Sequence, residues 1–468
     1  MPTTALITDL LRPRDRLWLL AVSLLVLLPG VFGISLVDRD EGWYAQVSRE
    51  MLASGDWLVP RYLGEPWLGK PPLLYWCVAA AFRVFGLHEW AGRLVSVLAM
   101  TVAVQLLATL ASELYGRRAA LFAGLSFVTA GLPAIVGKLL ITDALLLLWI
   151  LAACVTLWRI QTRGVTWTRA GVFWVFIGLG ILTKGPAVLL FVGGFALALY
   201  SLWRRHLAGG APAGARTDRC TLWLASPLCL LVAAPWYILV ARHAGTTLVK
   251  QFFWYETASR LVSTPHGHGG PPVYYLLIGL AGWLPWSALL PGAIIEAWQS
   301  RKSDAAARFS LLWCGLPWLV LELMPSKLPH YVLPCFVPLA LLVGRMWDRG
   351  LERAMTRSQR VALTIWVGVN HLLGAGVLSA AWIWRSTPAA VPLGVLGVVF
   401  IAGFVLVSRA ARRGRLMFAW RHAVACSVAF HLLAGAWLLP ALEPLRLSRA
   451  VAERVNAVAP RASPIVCW

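Results

Sequence analysis

The 468-residue sequence is short of charge. Only 13% of its residues are Asp, Glu, Lys or Arg, where a soluble globular chain carries about a quarter. Set against 59% hydrophobic residues and a mean hydropathy of +0.71, that scarcity excludes an ordinary water-soluble domain. Acids are the scarcer sign: 20 Asp and Glu stand against 42 Lys and Arg, for a net charge of +22. Cysteine occurs eight times and never as a CxxC pair. This argues against a zinc or disulfide framework, and the cysteines read as small core hydrophobes. There is no Walker A loop and no internal repeat, so neither an ATPase nor a repeat-built transporter is indicated, and no nucleotide is called for. No nucleic-acid-binding motif accompanies the positive charge.

What the chain has in abundance is apolar runs of about 18–22 residues, the length of a membrane span. Lipid-facing backbone must satisfy its own hydrogen bonds, so the expected fold is an all-α polytopic membrane protein. The 26 Trp residues suit interfacial belts. Arginines fill short gaps between the runs, as in Arg117-Arg118 and Arg412-Arg413, where they set topology and meet anionic headgroups. Arg12, Arg14 and Arg16 precede the first run, Leu17 to Leu36, which reads as a retained span with a cytoplasmic N-terminus. About 13 spans are expected, the last at 421–440, in one transmembrane domain over 1–440. Two longer outer loops interrupt it, at 38–88 and 242–271, and a short outer tail follows at 441–468. In the first loop, Trp43, Tyr44, Val47, Met51 and Leu52 share a helical face that Gly55 can end, which suggests an interfacial helix.

The scarce acids and the misplaced lysines carry the chemistry. Asp38, Asp40 and Glu41 sit within four residues where the chain leaves the first span. One of them suits a helix cap; three are more than a cap needs, and a carboxylate there can act as a general base. Asp143 begins a span on the same expected side. Lys70, before Pro71 and Pro72, Lys184, before Gly185 and Pro186, and Lys327, in Pro325-Ser326-Lys327-Leu328-Pro329, fall outside against the positive-inside trend. A single lysine there would snorkel; three at stiff turns suggest an anion site, most naturally for a phosphate. His266 and His268 are spaced for metal binding but are two ligands only. Carboxylates beside cations at the outer ends suit chemistry on a lipid phosphate, whereas a flippase for lipid-linked sugars would hold its acids near the midplane.

These residues lie in a recurring set of blocks: Arg39-Asp40-Glu41-Gly42-Trp43-Tyr44, Lys70-Pro71-Pro72-Leu73 with Tyr75-Trp76, Thr142-Asp143, Leu182-Thr183-Lys184-Gly185, Leu284-Pro285-Trp286, and Ser326-Lys327-Leu328-Pro329 with Tyr331. In this order, over about 38–345, they resemble the GT-C membrane glycosyltransferases of family 39, and within it the bacterial aminoarabinose transferases that modify lipid A. The resemblance implies an inverting transfer of a sugar from a polyprenyl, such as undecaprenyl, phosphate on the periplasmic face of the inner membrane. The implied acceptor is lipid A or another envelope glycan or protein; protein O-mannosylation is the related alternative. It implies Asp40 and Asp143 as catalytic acids, Glu41 and Tyr44 in support, and Lys70, Lys184, Tyr331, Lys327 and Arg260 around the donor's lipid phosphate. Where the lipid A enzymes place an acidic residue before the Lys-Pro-Pro run, this sequence has Gly69. A divalent metal would retain His268 and lack that ligand.

Overall fold

The computed structural model describes residues 10–37, 39–207, 217–259, 263–264, 267, 269–352, 355–445, 451, 454 and 457–458. Among them the regular elements are helices, apart from one antiparallel hairpin. The chain runs from α1 (Pro13–Leu27) to α2 (Arg39–Ser54), the hairpin β1 (Arg61–Tyr62) and β2 (Glu65–Pro66), and α3 (Leu73–Phe85). Then come α4 (Glu89–Tyr115), α5 (Arg117–Val128), α6 (Gly131–Val136), α7 (Thr142–Arg163), α8 (Trp167–Lys184) and α9 (Ala187–Leu207). They are followed by α10 (Thr217–Leu224), α11 (Pro227–Ala244), α12 (Thr246–Gln251) and α13 (Tyr274–Gly282). The last group is α14 (Leu290–Ser300), α15 (Ala305–Leu323), α16 (Phe336–Glu352), α17 (Arg357–Ile383), α18 (Ala390–Arg412) and α19 (Leu416–Leu433), which continues through a π-turn toward Leu445.

Among the described residues, eight helical stretches are long and apolar enough to cross a membrane, or nine if α13 and the Ser287–Ser300 segment, bent by 114°, form one broken span. The count of about 13 is therefore not reached by length and composition. Helix α1 has 15 residues, the 119–137 run is broken between α5 and α6, and the apolar part of α9 ends at Tyr200. The outer faces of the spans carry exposed Leu98, Leu230, Leu231 and Leu372. Apolar surface of this extent belongs against hydrocarbon.

The core lies where α4, α5, α7 and α16 pack together. Small residues permit the close approach: a Cβ at Gly344 of α16 would run into the Ala119 carbonyl of α5. The expected interfacial helix forms as α2, with Tyr44, Val47 and Met51 buried, and Gly55 at φ +72° ends it in the left-handed region glycine tolerates. The Leu284-Pro285-Trp286 block is a clasp. The Pro285 carbonyl accepts from Trp366 Nε1 at 2.7 Å and from Asn370 Nδ2 at 2.9 Å, and the Leu284 carbonyl accepts from the Gly131 N–H at 2.9 Å. The seven described cysteines are unbridged.

The two ends of the bundle differ. One gathers the arginine-rich connections, paired with most of the acids found there: Arg117 with Asp15 at 2.6 Å, Arg118 with Asp348 at 2.8 Å, and buried Arg345 with Glu296 at 3.0 Å and Asp304 at 2.8 Å. Asp304 also caps α15 through the Ala307 N–H at 3.0 Å. Burial opposes its charge, but that N–H and Arg345 hold its carboxyl below the ordinary range. A depressed carboxyl contributes stability above its unfolded pKa and loses it as pH falls through the folded value. Asp304→Asn should therefore lower the melting temperature of the detergent-purified protein at pH 7, and the gap from the parent should close as the pH drops below about 4.

Candidate active site

The opposite end is built on the start of α2. Its first turn carries Asp40 and Glu41, where acids favour the helix N-terminus. The two then diverge. Glu41 is fully buried and its carboxylate accepts four hydrogen bonds: from Arg93 Nε at 2.9 Å and Nη2 at 2.7 Å, from the Val37 N–H at 2.7 Å, and from the Leu140 N–H at 2.8 Å. Arg93, on α4, also donates to the Ile34 carbonyl at 2.8 Å and the Ser35 carbonyl at 2.9 Å. A charged pair taken out of water persists only when its remaining donors and acceptors are met, and here they are. Glu41 thus ties together α2, α4, the 31–37 linker and the turn leading to Asp143. The sequence reading gave it only a supporting role at the helix start; its carboxylate is occupied in holding the site's frame.

Asp40 stays half-buried at the free edge of that frame. One turn on, Tyr44 is buried, its ring 6.0 Å from that of Tyr75. Burial first, and then the charge of Asp40, raise the Tyr44 phenol well above its ordinary range, with Tyr75, Asp143 and Tyr331 adding to the effect. Tyr44 therefore keeps its proton at neutral pH. Three of the four groups facing it, Asp40, Asp143 and Tyr331, are expected from the sequence; Tyr75 enters there only as part of a motif.

Asp143 opens α7 and is buried. Its Oδ1 accepts from Lys184 Nζ at 2.7 Å, and its Oδ2 lies 3.3 Å from Thr142 Oγ1 and 3.7 Å from His330 Nε2. Lys184 is the last residue of α8, ended by Gly185 at φ +65°, and its ammonium lies 4.7 Å from the Tyr331 ring centroid. Lys70 is half-buried on the loop before α3, donates to the Gly69 carbonyl at 2.8 Å, and lies within electrostatic reach of Asp143. The cleft thus joins Asp40, Tyr44, Lys70, Asp143, Lys184 and Tyr331.

Lys327 is placed differently. It is buried and paired with Glu322 at 3.3 Å, and it donates to the Pro271 carbonyl at 3.1 Å. Glu322 also accepts from the Tyr275 N–H at 3.2 Å, and a bridge joins Gly269 to Ser326. Lys327 therefore fastens the chain at Gly269–Pro271 to the 324–335 segment, its charge already met. Arg260, His266, His268 and Asp38 lie outside the described residues. Arg93 and His330 were not anticipated. The signal for Arg93 was a charged residue within an apolar run, and for His330 its place between Lys327 and Tyr331.

A metal finds little support. No three potential ligands gather among the described residues. A Cβ at Gly69 would run into the Trp67 ring, so an acidic side chain there would first have to displace the indole. The described residues do not fit a metal centre.

Removing Arg93 leaves Glu41 buried and unpaired, which costs about 3–5 kcal/mol. Arg93→Met should therefore lower the melting temperature sharply in detergent and abolish function. A variant melting with the parent would show that the frame stands without the pair.

Comparison with known proteins follows the same lines. A family model described as dolichyl-phosphate-mannose-protein mannosyltransferase matches residues 17–246. The undecaprenyl phosphate-alpha-4-amino-4-deoxy-L-arabinose arabinosyl transferase of Erwinia tasmaniensis is 32% identical over 422 residues, covering 86% of this chain and 72% of that protein. The enzyme of the same name from Aeromonas salmonicida is 33% identical, over 80% of this chain and 68% of that one. The crystal structure of ArnT from Cupriavidus metallidurans bound to undecaprenyl phosphate superposes with a TM-score of 0.77 at 24% identity, over 97% of this chain and 81% of that one. This likeness shows the shared fold. On its sequence, its polytopic helical fold and these relatives, the chain belongs to the GT-C membrane glycosyltransferases, in the family of the undecaprenyl phosphate-aminoarabinose arabinosyl transferases.

Proposed function

We propose that this glycosyltransferase moves a sugar from polyprenyl phosphate to lipid A or another envelope acceptor, at a cleft facing the periplasm from the inner membrane. The observation that carries the reading is the ion pair of Lys184 with Asp143, packed against Tyr331 and within reach of Lys70. Two cations beside buried carboxylates suit a phosphate that gains charge as it leaves. The relatives' names specify an undecaprenyl phosphate-linked sugar as their donor, and the arginine-rich opposite end suits the cytoplasmic side.

In this reading an acceptor oxygen attacks the anomeric carbon from the face opposite the leaving group. The carbon–oxygen bond to the lipid phosphate breaks, and that phosphate departs with the electron pair. Lys70 and Lys184 stabilise its added charge, and Asp143 fixes the Lys184 ammonium in place. A phosphate of lipid A is already an anion and needs no base, so Asp40 positions sugar and acceptor. The match to a protein mannosyltransferase model favours testing a hydroxyl acceptor as well; there the proton would pass to Asp40.

Asp40→Asn should reduce transfer by at least about 100-fold while the variant inserts and melts like the parent. The assay is detergent-phase transfer from undecaprenyl phosphate-aminoarabinose to lipid A, with a Ser/Thr peptide as the second acceptor. Near-normal transfer by the variant would overturn the assignment of Asp40. Transfer to the peptide alone would replace lipid A as the acceptor.

A further inference from the structure

Helix α16 starts beside the cleft, just after Tyr331, and ends at Glu352 on the far side of the bundle. There it meets the start of α17, the end of α18 and the start of α19 around a cavity of about 560 Å³. The volume is that of a small-molecule site. We propose that this cavity binds the headgroup and first methylenes of an anionic phospholipid, at the end of the molecule opposite the catalytic cleft.

Three observations support this. The first is charge: Arg360 and Arg412 line the cavity, and no carboxylate does so among its lining residues. Arg357, Arg409, Arg413 and Arg415 stand on the same helix ends. Among the nearby acids whose side chains are described, Glu296 and Asp304 pair with Arg345 and Arg349, and Asp348 with Arg118. Two guanidinium groups in a lining without a carboxylate select a phosphate, to which arginine donates in a bidentate fork.

The second observation is the floor. Leu363, Val367, Ala411 and Leu416 give an apolar base, with the hydroxyls of Thr364 and Ser408 beside it. A free inorganic phosphate would leave that base wet, whereas a glycerophospholipid covers it. The third is position. The adjoining faces of α17 and α19 expose Val361, Ile365 and Phe418, the surface that meets hydrocarbon. The cavity therefore opens where a lipid's phosphate and acyl root lie together, and basic clefts between spans hold acidic headgroups in this way.

The test is native mass spectrometry of the full-length protein in detergent, titrated with dioleoyl phosphatidylglycerol, dioleoyl phosphatidylcholine or glycerol 3-phosphate. The parent should take up one phosphatidylglycerol in preference to phosphatidylcholine. Arg360→Ala combined with Arg412→Ala should weaken that uptake by about 30-fold. Thr364→Trp keeps both charges, fills the cavity and should have a comparable effect, so the inference stays testable if the double variant does not fold. Arg385→Ala, at the other end of α17, should bind like the parent. Equal uptake of the two lipids, or unchanged phosphatidylglycerol binding in both cavity variants, would overturn the proposal. Glycerol 3-phosphate binding as tightly as the lipid would also overturn it, since the cavity would then be a phosphate site with no lipid in it.

Discussion

The end of this molecule that carries the candidate site depends on one buried ion pair, Glu41 with Arg93. In a medium that offers no water, a carboxylate with four donors and a guanidinium shared between that carboxylate and the carbonyls of Val31, Ile34 and Ser35 fix the geometry of everything they touch. The Leu140 N–H is one of those donors, and Asp143 lies three residues further on. The Val37 N–H is another, and Asp40 lies three residues beyond it. The two carboxylates facing Tyr44 are thus set by opposite sides of a single side chain. Acids are scarce in this chain, and the buried ones hold positions: Glu41 the frame, Asp143 its lysine, Glu322 the return of the second loop.

Much of this was legible in the sequence because its signals were local. Runs of apolar residues gave helices, Gly55 gave the end of α2, and lysines before prolines gave cations on stiff turns. Asp40, Asp143, Lys70, Lys184 and Tyr331 stood out as polar residues where an apolar chain has few, and the structure brings them into one cleft. What was not legible is pairing at a distance. Arg93 lies 52 positions from Glu41, and no periodicity links them, so Glu41 read as a helix-start acid. Lys327 and Glu322 are five residues apart, yet they pair only because α15 ends at Leu323 and the extended Met324 turns the chain out of the helix. The count of about 13 spans is not confirmed, because an apolar run shows length but not a break such as that between Val128 and Gly131.

The family blocks divide in the structure into two kinds. Those carrying charge, around Asp40, Lys70, Asp143 and Lys184, line the cleft. Leu284-Pro285-Trp286 and Ser326-Lys327 instead clasp helices and loops outside it, through the Pro285 carbonyl and the Glu322 pair. A motif with catalytic company need not itself be catalytic.

The linker between α1 and α2 is held from the far end of the chain as well. Glu443, also buried, accepts the Ser35 N–H at 3.1 Å, and Gly435 lies so close to Pro29 that a Cβ there would strike its carbonyl. A ribosome makes residue 443 some 400 residues after residue 35. During synthesis, then, α1 and the linker after it are made before Glu443 exists to hold that linker, and Arg93 alone grips it. The linker reaches its final shape once the last long helix has been inserted and has closed against the first. Maturation of the candidate site therefore waits on this closing helix, and a chain stalled before it carries every charged residue of the cleft on an unfinished mount.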